Sequence, residues 1–371
     1  MALLGLTPEP PFDPLSWSGS SANFFGALRD QGLLAGAREV AISKAREGFE
    51  KGLAFSLPMP RWKARYHASV RRFRALTAVA SQIIAGQSEM QGVLQIGAWF
   101  SCGAVTKLPC FSYHDGNAAL RYRYYGRGLL SARTQRAHLD WERSVYGALT
   151  GIFVMSQWLA DSFVEDFGVP RTKVHVVGGA VNMKLPERIP TQRGTAPRYL
   201  FVGKDFARKG GKFLLEAFRL VRQAIPDAEL FIVGPILPTQ PAGVVCAGYL
   251  SKTKADESAL LTQLFGSATA VVLPSVYEPF GISLLEGMAF ARPCIAVDRC
   301  AMPEIVRHGE TGLIARAEDP ASLANAMIEL GRNPVEAARM GEAGRRRIES
   351  DYTWDAVATK IKTVLATTYG M

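Results

Sequence analysis

Between residues 198 and 316 the chain alternates short apolar runs with amphipathic segments, and this rhythm constrains the fold more than any other feature. The run "RYLFVGK" (198–204) precedes "KGGKFLLEAFRLVRQAIP", where Phe213, Leu214, Ala217, Phe218 and Val221 fall on one face at helical spacing. Further strands are expected at "AELFIVGP" (228–235), "GVVCAGYL" (243–250), "TAVVLPS" (269–275), "PCIAVD" (293–298) and "TGLIAR" (311–316). Helices are expected at 255–268, from about 281 onward, and at "MPEIVRHG". Strands that are apolar throughout are buried on both faces, which implies a parallel sheet covered by helices on each side.

The first half keeps this rhythm less regularly. Strands are expected at 2–6, 39–43, 92–98, 109–113, 151–155 and 173–177, and helices at 20–30, 62–84, 131–149 and 157–166. The stretch "NMKLPERIPTQRGTAP" (182–197) holds three prolines and no apolar period, so it reads as a linker. The expected organisation is a doubly wound α/β domain over 1–182, a linker at 183–197 and a second such domain over 198–353. A terminal helix over 354–371 is expected to pack back on the first domain. Two doubly wound domains joined in this way face one another across a cleft, with ligands outside the carboxyl ends of the strands.

Composition narrows the class. The 371 residues are 48% hydrophobic and 20% charged, a globular balance. No apolar run reaches the ~18 residues of a spanning helix, and "MALLGLTPEPPFDP" lacks the basic start and cleavage site of a signal peptide. Five cysteines without a C-x-x-C pair point to reduced thiols and a cytoplasmic chain, against a zinc site or disulfide framework. Residues 1–182 hold 20 Lys and Arg against 13 Asp and Glu, a net +7, whereas the remainder nets +3. The first half is the one expected to face an anionic partner.

The segment "PSVYEPFGISLLEGMAF" (274–290) sets Glu278 and Glu286 eight residues apart around Pro-Phe-Gly. If a helix starts near Gly281, the free amides of Gly281, Ile282 and Ser283 and the helix dipole attract phosphate. Glu286 then lies roughly 9 Å along the axis from Phe280, the reach from a phosphate to a ribose. Its carboxylate can accept both hydroxyls of a ribose diol. A surface glutamate and a salt-bridged helix glutamate would be the ordinary explanation of such spacing alone. The embedding motifs after a buried strand argue against it.

"PSVYEPFGISLLEGMAFARPCIAV" followed by "MPEIVRHGETGLIA" resembles the donor-binding half of retaining glycosyltransferases of the GT-B fold, family 4 (glycosyl transferases group 1). "YLFVGKDFARKGGKFLLEAF" extends the resemblance upstream, so that it covers roughly 195–368; the first half matches mainly in element order, in "SYHDG" and in "KVHVVGGAVN". The resemblance implies a retaining glycosyltransferase with two Rossmann-like domains, the first holding the acceptor and the second a nucleotide-diphosphate sugar. It implies that Glu278 contacts hydroxyls of the donor sugar and Glu286 the ribose. Lys209 in "ARKGG" matches the lysine that grips the diphosphate. Lys204 stands where the family usually has arginine, which keeps the charge but loses the bidentate fork. His114 of "SYHDG" matches the histidine near the donor sugar. "SWSGSSANFFGAL" (16–28) resembles the Gly-rich turn above the phosphates, with Gly19 and Ser20 opening a helix.

The chemistry is consistent with these assignments. Breaking a sugar–phosphate bond builds negative charge on the leaving group, and lysines with helix N-termini stabilise it. No D-x-D cluster ends a strand, so no metal or other cofactor is expected. Retention can use a carboxylate nucleophile or same-face attack; no carboxylate is an obvious nucleophile, which favours the latter. "GKDFARKGGK" is not a P-loop, because Phe206 and Phe213 stand where Gly and Ser/Thr are needed, and no G-x-G-x-x-G follows the first strand.

Two basic stretches remain. "RWKARYHASVRRFRAL" (61–76) sets Trp62, Tyr66, Val70 and Phe73 on one helix face among arginines that include Arg71 and Arg72. It is either an interfacial helix on an anionic membrane, on the inner face of the cell, or an ordinary helix packed on the sheet. "LRYRYYGRG" (120–128), with Arg121, Arg123 and Tyr124, can stack on an acceptor sugar, grip an acceptor phosphate, bind single-stranded nucleic acid, or pack on its own domain. The expected partners are a nucleotide-sugar donor and a sugar-containing or lipid-linked acceptor, with no nucleic acid. Competing readings are a sugar-nucleotide hydrolase or phosphorylase, and a non-catalytic nucleic-acid-binding protein.

Overall fold

A computed structural model describes residues 2–126, 128–189 and 196–371. Residues 190–195 of the expected linker and Arg127 of the 120–128 stretch lie outside the described residues. The chain divides into unit 1, Met1–Gly179 with Trp354–Met371, and unit 2, Ala180–Thr353.

Unit 1 runs β1 (Leu3–Thr7), α1 (Ser20–Asp30), β2 (Leu34–Glu39), α2 (Lys44–Ala54), α3 (Met59–His67), α4 (Val70–Ala85), β3 (Gly92–Ile96), β4 (Cys110–His114), α5 (Ala118–Tyr124), α6 (Ala132–Gly147), β5 (Gly151–Val154), α7 (Gln157–Glu165) and β6 (Val174–Val176). Its strands form one parallel sheet in the order β2-β1-β3-β4-β5-β6. The strand order reverses at β1/β3, so the crevice outside those carboxyl ends is the place for a ligand. β1, β3, β4 and β5 are buried at every position, as central strands of a parallel sheet must be.

Unit 2 runs β7 (Arg198–Val202), α8 (Gly211–Ala224), β8 (Glu229–Val233), β9 (Val244–Gly248), α9 (Ala255–Ser267), β10 (Ala270–Leu273), α10 (Ile282–Ala289), β11 (Cys294–Val297), α11 (Met302–Ile305), β12 (Gly312–Ala315), α12 (Pro320–Arg332) and α13 (Pro334–Asp351). Its parallel sheet is ordered β12-β11-β10-β7-β8-β9, with the reversal at β7/β10. The chain then returns to unit 1 as α14 (Trp354–Tyr369). There Trp354 meets the ring of Phe24 at 5.9 Å, and Phe24 stacks on Tyr113 at 4.3 Å.

Three expectations change. The second strand is Leu34–Glu39 rather than 39–43, because β2 is an edge strand with an interrupted apolar pattern and 44–54 is a helix. The helix expected over 62–84 is two helices, broken where Ser69 caps α4 by accepting from the Arg72 amide at 3.3 Å. The proposed interfacial stripe therefore does not exist as one face. Phe73 is in the core, Tyr66 Oη is bound to Glu47 and Arg72, and Trp62 Nε1 donates to the Lys51 carbonyl.

Candidate active site

In unit 2 the loops after β7 and β10 leave the sheet side by side at its reversal point, and they are joined by backbone. The Val276 amide donates to the Arg208 carbonyl at 2.9 Å. Gly210, the residue before α8, has φ +78°, and a Cβ there would lie 1.8 Å from the Pro274 carbonyl oxygen. Only glycine lets the two loops approach this closely.

This junction aims two cations at one buried carboxylate. Lys209 Nζ lies 3.1 Å from Glu278 Oε2, and Arg208 Nη1 lies 3.7 Å from the same oxygen. Arg208 Nη1 also donates to the Tyr277 carbonyl at 2.7 Å, and the Ser275 hydroxyl donates to Glu278 at 3.3 Å. Burial alone would raise the Glu278 carboxyl; Lys209 first, then Arg208 and the hydrogen bonds, outweigh it and hold the group below its ordinary value of 4.5. Glu278 is thus a fixed anion with cations already gathered around it.

Glu278 packs against the start of α10. Gly281 precedes that helix at φ +88°, with the Glu278 Cγ 3.6 Å from where its Cβ would be. No side chain caps the helix, and the first amide bonded back is that of Leu284, to the Gly281 carbonyl at 2.9 Å. The Ser283 hydroxyl in this first turn is buried and has no partner. A buried hydroxyl without a partner beside an uncapped helix start is what a site for an absent hydrogen-bonding ligand looks like. One turn on, Glu286 is buried and salt-bridged to Lys252 from the loop after β9.

The sequence-predicted residues therefore separate. Glu278, Lys209, Gly281, Ile282, Ser283 and Glu286 are brought together around the first turns of α10. Lys204 instead lies over the ring of Tyr249, 4.4 Å from its centroid. Arg208 and Lys252 were not singled out from the sequence. A loop lysine or arginine has no spacing signature, and only strand order shows which carboxylate it meets.

In unit 1, His114 ends β4 but its ring does not stand free. It is 3% exposed, packs edge-on to Tyr146 and Phe163, and shares a 2.8 Å hydrogen bond between Nε2 and the Ser112 hydroxyl. Burial lowers its pKa to about 3, so the ring is neutral at physiological pH. Beside it, Trp17 Nε1 donates to Asp115 at 3.2 Å. Trp17 and Ser18 are left-handed (φ +46° and +58°), a strained turn of the kind found at ligand sites, and it places Gly19 and Ser20 at the start of α1. There the Ser21 hydroxyl is buried without a partner. On α5, Arg123 is paired with Asp166, Tyr124 packs on Trp158, and Arg121 lines a small cavity with His67 and Tyr122. On α4, Arg71 lies 3.8 Å from Glu50, and Arg72 sits over Tyr66 and Trp99.

With this geometry in view, the chain was compared with known proteins. Residues 196–333 match the family model "Glycosyl transferases group 1". The similarity to this family rests on that segment, which is less than half of the chain. The glycosyl transferases group 1 segment contains every residue of the unit 2 cluster. An MMP α-(1→4)-mannosyltransferase from Mycolicibacterium hassiacum is 30% identical over 233 residues, 60% of this chain and 55% of that protein. A phosphatidyl-myo-inositol mannosyltransferase from Mycobacterium leprae is 30% identical over 61% of this chain and 60% of its own. The chain spans about half to three fifths of the length of the curated relatives it matches. Among solved structures, a sucrose-phosphate synthase from Thermosynechococcus elongatus superposes with a TM-score of 0.73 at 18% identity over all of both chains. The Anabaena protein HepE, solved with UDP, gives 0.68 at 14% identity, over 99% of this chain and all of that one. These structural likenesses show the fold, which is GT-B.

Proposed function

We propose that the chain is a retaining glycosyltransferase that takes its sugar from a nucleotide-diphosphate donor held by unit 2. The observation that carries this reading is the buried, partnerless Ser283 hydroxyl in the uncapped first turn of α10, beside the Lys209–Glu278 pair. A diphosphate at that turn accepts from the free amides, from Ser283 and from Lys209, with Lys204 as a further cation. The Glu286 carboxylate then takes the ribose diol, displacing Lys252, and Glu278 takes hydroxyls of the sugar. The family match over residues 196–333 and the relatives' names support the same class of reaction.

In the reaction, the bond from the sugar's anomeric carbon to the diphosphate oxygen breaks, and a bond to an acceptor hydroxyl oxygen forms on the same face. The electron pair goes to the diphosphate, whose oxygen also receives the acceptor's proton. Lys209 and the helix start stabilise the charge that develops, in place before the reaction begins, whereas Lys204 joins them only by leaving the Tyr249 ring. These residues supply that charge themselves, so turnover is expected to survive a metal chelator. The acceptor is a sugar or glycolipid held by unit 1, where the strained Trp17–Ser18 turn beside Asp115 marks the place.

The test is a thermal-shift screen of UDP, GDP, ADP, CDP and their sugars, followed by product analysis with and without saccharide acceptors. A diphosphate that raises the melting temperature and a product retaining the donor's anomeric configuration are expected. Free sugar formed equally with and without acceptor would instead show a hydrolase.

A further inference from the structure

We propose that the hairpin of α2 and α3 in unit 1 is an anchor that seats in the surface of an anionic lipid bilayer. Phe49, Leu53, Phe55, Leu57 and Met59 are between 47% and 73% exposed, five large apolar side chains within eleven residues. Elsewhere among the described residues, the large exposed apolar side chains are scattered singly or in pairs along the chain. Phe49 and Leu53 share one face of α2, and Phe55, Leu57 and Met59 follow on the connection into α3.

Polar ties hold this hairpin in shape, beside an edge-on contact of Phe55 with Trp62 at 5.7 Å and the burial of Ala54 and Ala64. Trp62 Nε1 donates to the Lys51 carbonyl at 2.8 Å, Arg65 donates to the Phe55 carbonyl at 3.2 Å, and Tyr66 donates to Glu47 at 3.3 Å. The apolar side chains are thus left facing outward on a fixed backbone. Residues 44–74 carry nine Lys and Arg against two acids. Both acids are already matched, Glu47 by Lys51 at 2.7 Å and buried Glu50 by Arg46 at 2.9 Å. The Arg46 and Arg71 guanidiniums lie 5.6 Å from the Phe49 ring centroid, and Arg61, Lys63 and Arg65 are exposed on α3.

Apolar side chains bordered by lysine and arginine are the composition of an element that lies in a membrane interface. The charge selects the occupant. A second copy would bring the same cations onto this surface and be repelled, whereas acidic headgroups neutralise them. This inference does not depend on the donor-site reading, because lipid binding is measured without turnover.

The experiment is co-sedimentation of the full chain with vesicles of phosphatidylcholine alone or with added phosphatidylglycerol, in low and high salt. Binding to the anionic vesicles is expected to exceed binding to the neutral ones by at least about tenfold and to weaken as salt rises. The triple variant Leu53→Ser/Leu57→Ser/Met59→Ser is expected to keep the wild-type melting temperature and lose at least about tenfold of vesicle affinity. Ile236→Ser, an exposed apolar position in unit 2, is expected to bind as wild type. Equal binding to both vesicle types, no binding to either, or a triple variant that binds like the wild type would overturn the proposal. So would a dimer in solution that the triple variant abolishes, because the surface would then belong to a second copy.

Discussion

The two units share a six-stranded parallel sheet with one reversal of strand order, yet the strand ends that carry their candidate residues, β7 and β10 in unit 2 and β4 in unit 1, are chemically opposite. In unit 2 the loops gather ionised groups into pairs: Glu278 with Lys209 and Arg208, and Glu286 with Lys252. In unit 1 the strand end carries a neutral histidine among aromatic rings. The same topology therefore yields a charged cradle in one unit and a buried, neutral histidine–aromatic cluster in the other. Function follows the loops, and fold only provides the places.

The contrast is broken most directly by removing charge from unit 2. Lys209→Met is expected to lower kcat/KM by about a hundred- to a thousandfold, the cost of losing one preorganised charge on a leaving group. A loss under about threefold, measured by steady-state kinetics, would mean the cradle is structural. Next, Glu278→Ala and Glu286→Ala should separate. The first lowers turnover by about a hundredfold with little change in nucleotide affinity, and the second weakens nucleotide binding by about tenfold. Calorimetry beside kinetics checks this, and the reversed pattern would contradict the two roles.

Acid sharpens the comparison from the side of unit 1. His114 and His138 are held neutral by burial, with pKa values lowered to about 3 and about 4. The unfolded chain therefore takes up protons near pH 6.5 that the folded one refuses, and stability falls as pH drops from there. Glu142, raised by burial to about 7, opposes this by taking up its proton in the folded state. The net loss from these three groups between pH 7 and pH 5 is roughly 1–2 kcal/mol, and His67, lowered by burial to about 4, and His175, also lowered, add to it. All six tryptophans lie in unit 1, so their fluorescence reports its melting alone. A melting temperature unchanged between pH 7 and pH 5 would refute the neutral-histidine account. Glu278 acts in a lower window: its stabilisation is present above pH 4.5 and is lost only as pH falls through its lowered pKa.

The smallest effect concerns Lys252. Lys252→Met leaves Glu286 buried without its counter-charge, but Lys252 is 39% exposed, so solvent softens the loss to about 1 kcal/mol. A fall in the melting temperature of about 2–4 °C is expected. The double variant with Glu286→Gln should recover most of it, which would not happen if the two residues acted independently.

The sequence revealed the two units unequally, for a physical reason. β7, β10 and β11 are apolar runs bounded by turn residues, because both faces of a central parallel strand are buried. β2 was displaced because an edge strand exposes half its side chains, and the Val40–Ile42 run beyond it looks more like a strand than Leu34–Glu39 does. The apolar stripe at 61–76, left open between a membrane and the sheet, is divided between two helices with Phe73 in the core, and the exposed apolar residues lie on and after α2, where the sequence shows no helical apolar period. At the candidate site, Glu278, Glu286 and Lys209 stood inside motifs that the sequence displays. Arg208 and Lys252 reach the same carboxylates only because β7 lies between β10 and β8, and β9 lies next to β8.

The central claim is that a diphosphate seats on the first turn of α10. A crystal of this chain soaked with the nucleoside diphosphate that most raises its melting temperature tests it. Phosphate density within hydrogen-bond distance of the amides of residues 281–283, the Ser283 hydroxyl and Lys209 Nζ is the result expected. Nucleotide bound elsewhere, with Lys209 still on Glu278 and the first turn of α10 vacant, would contradict the account.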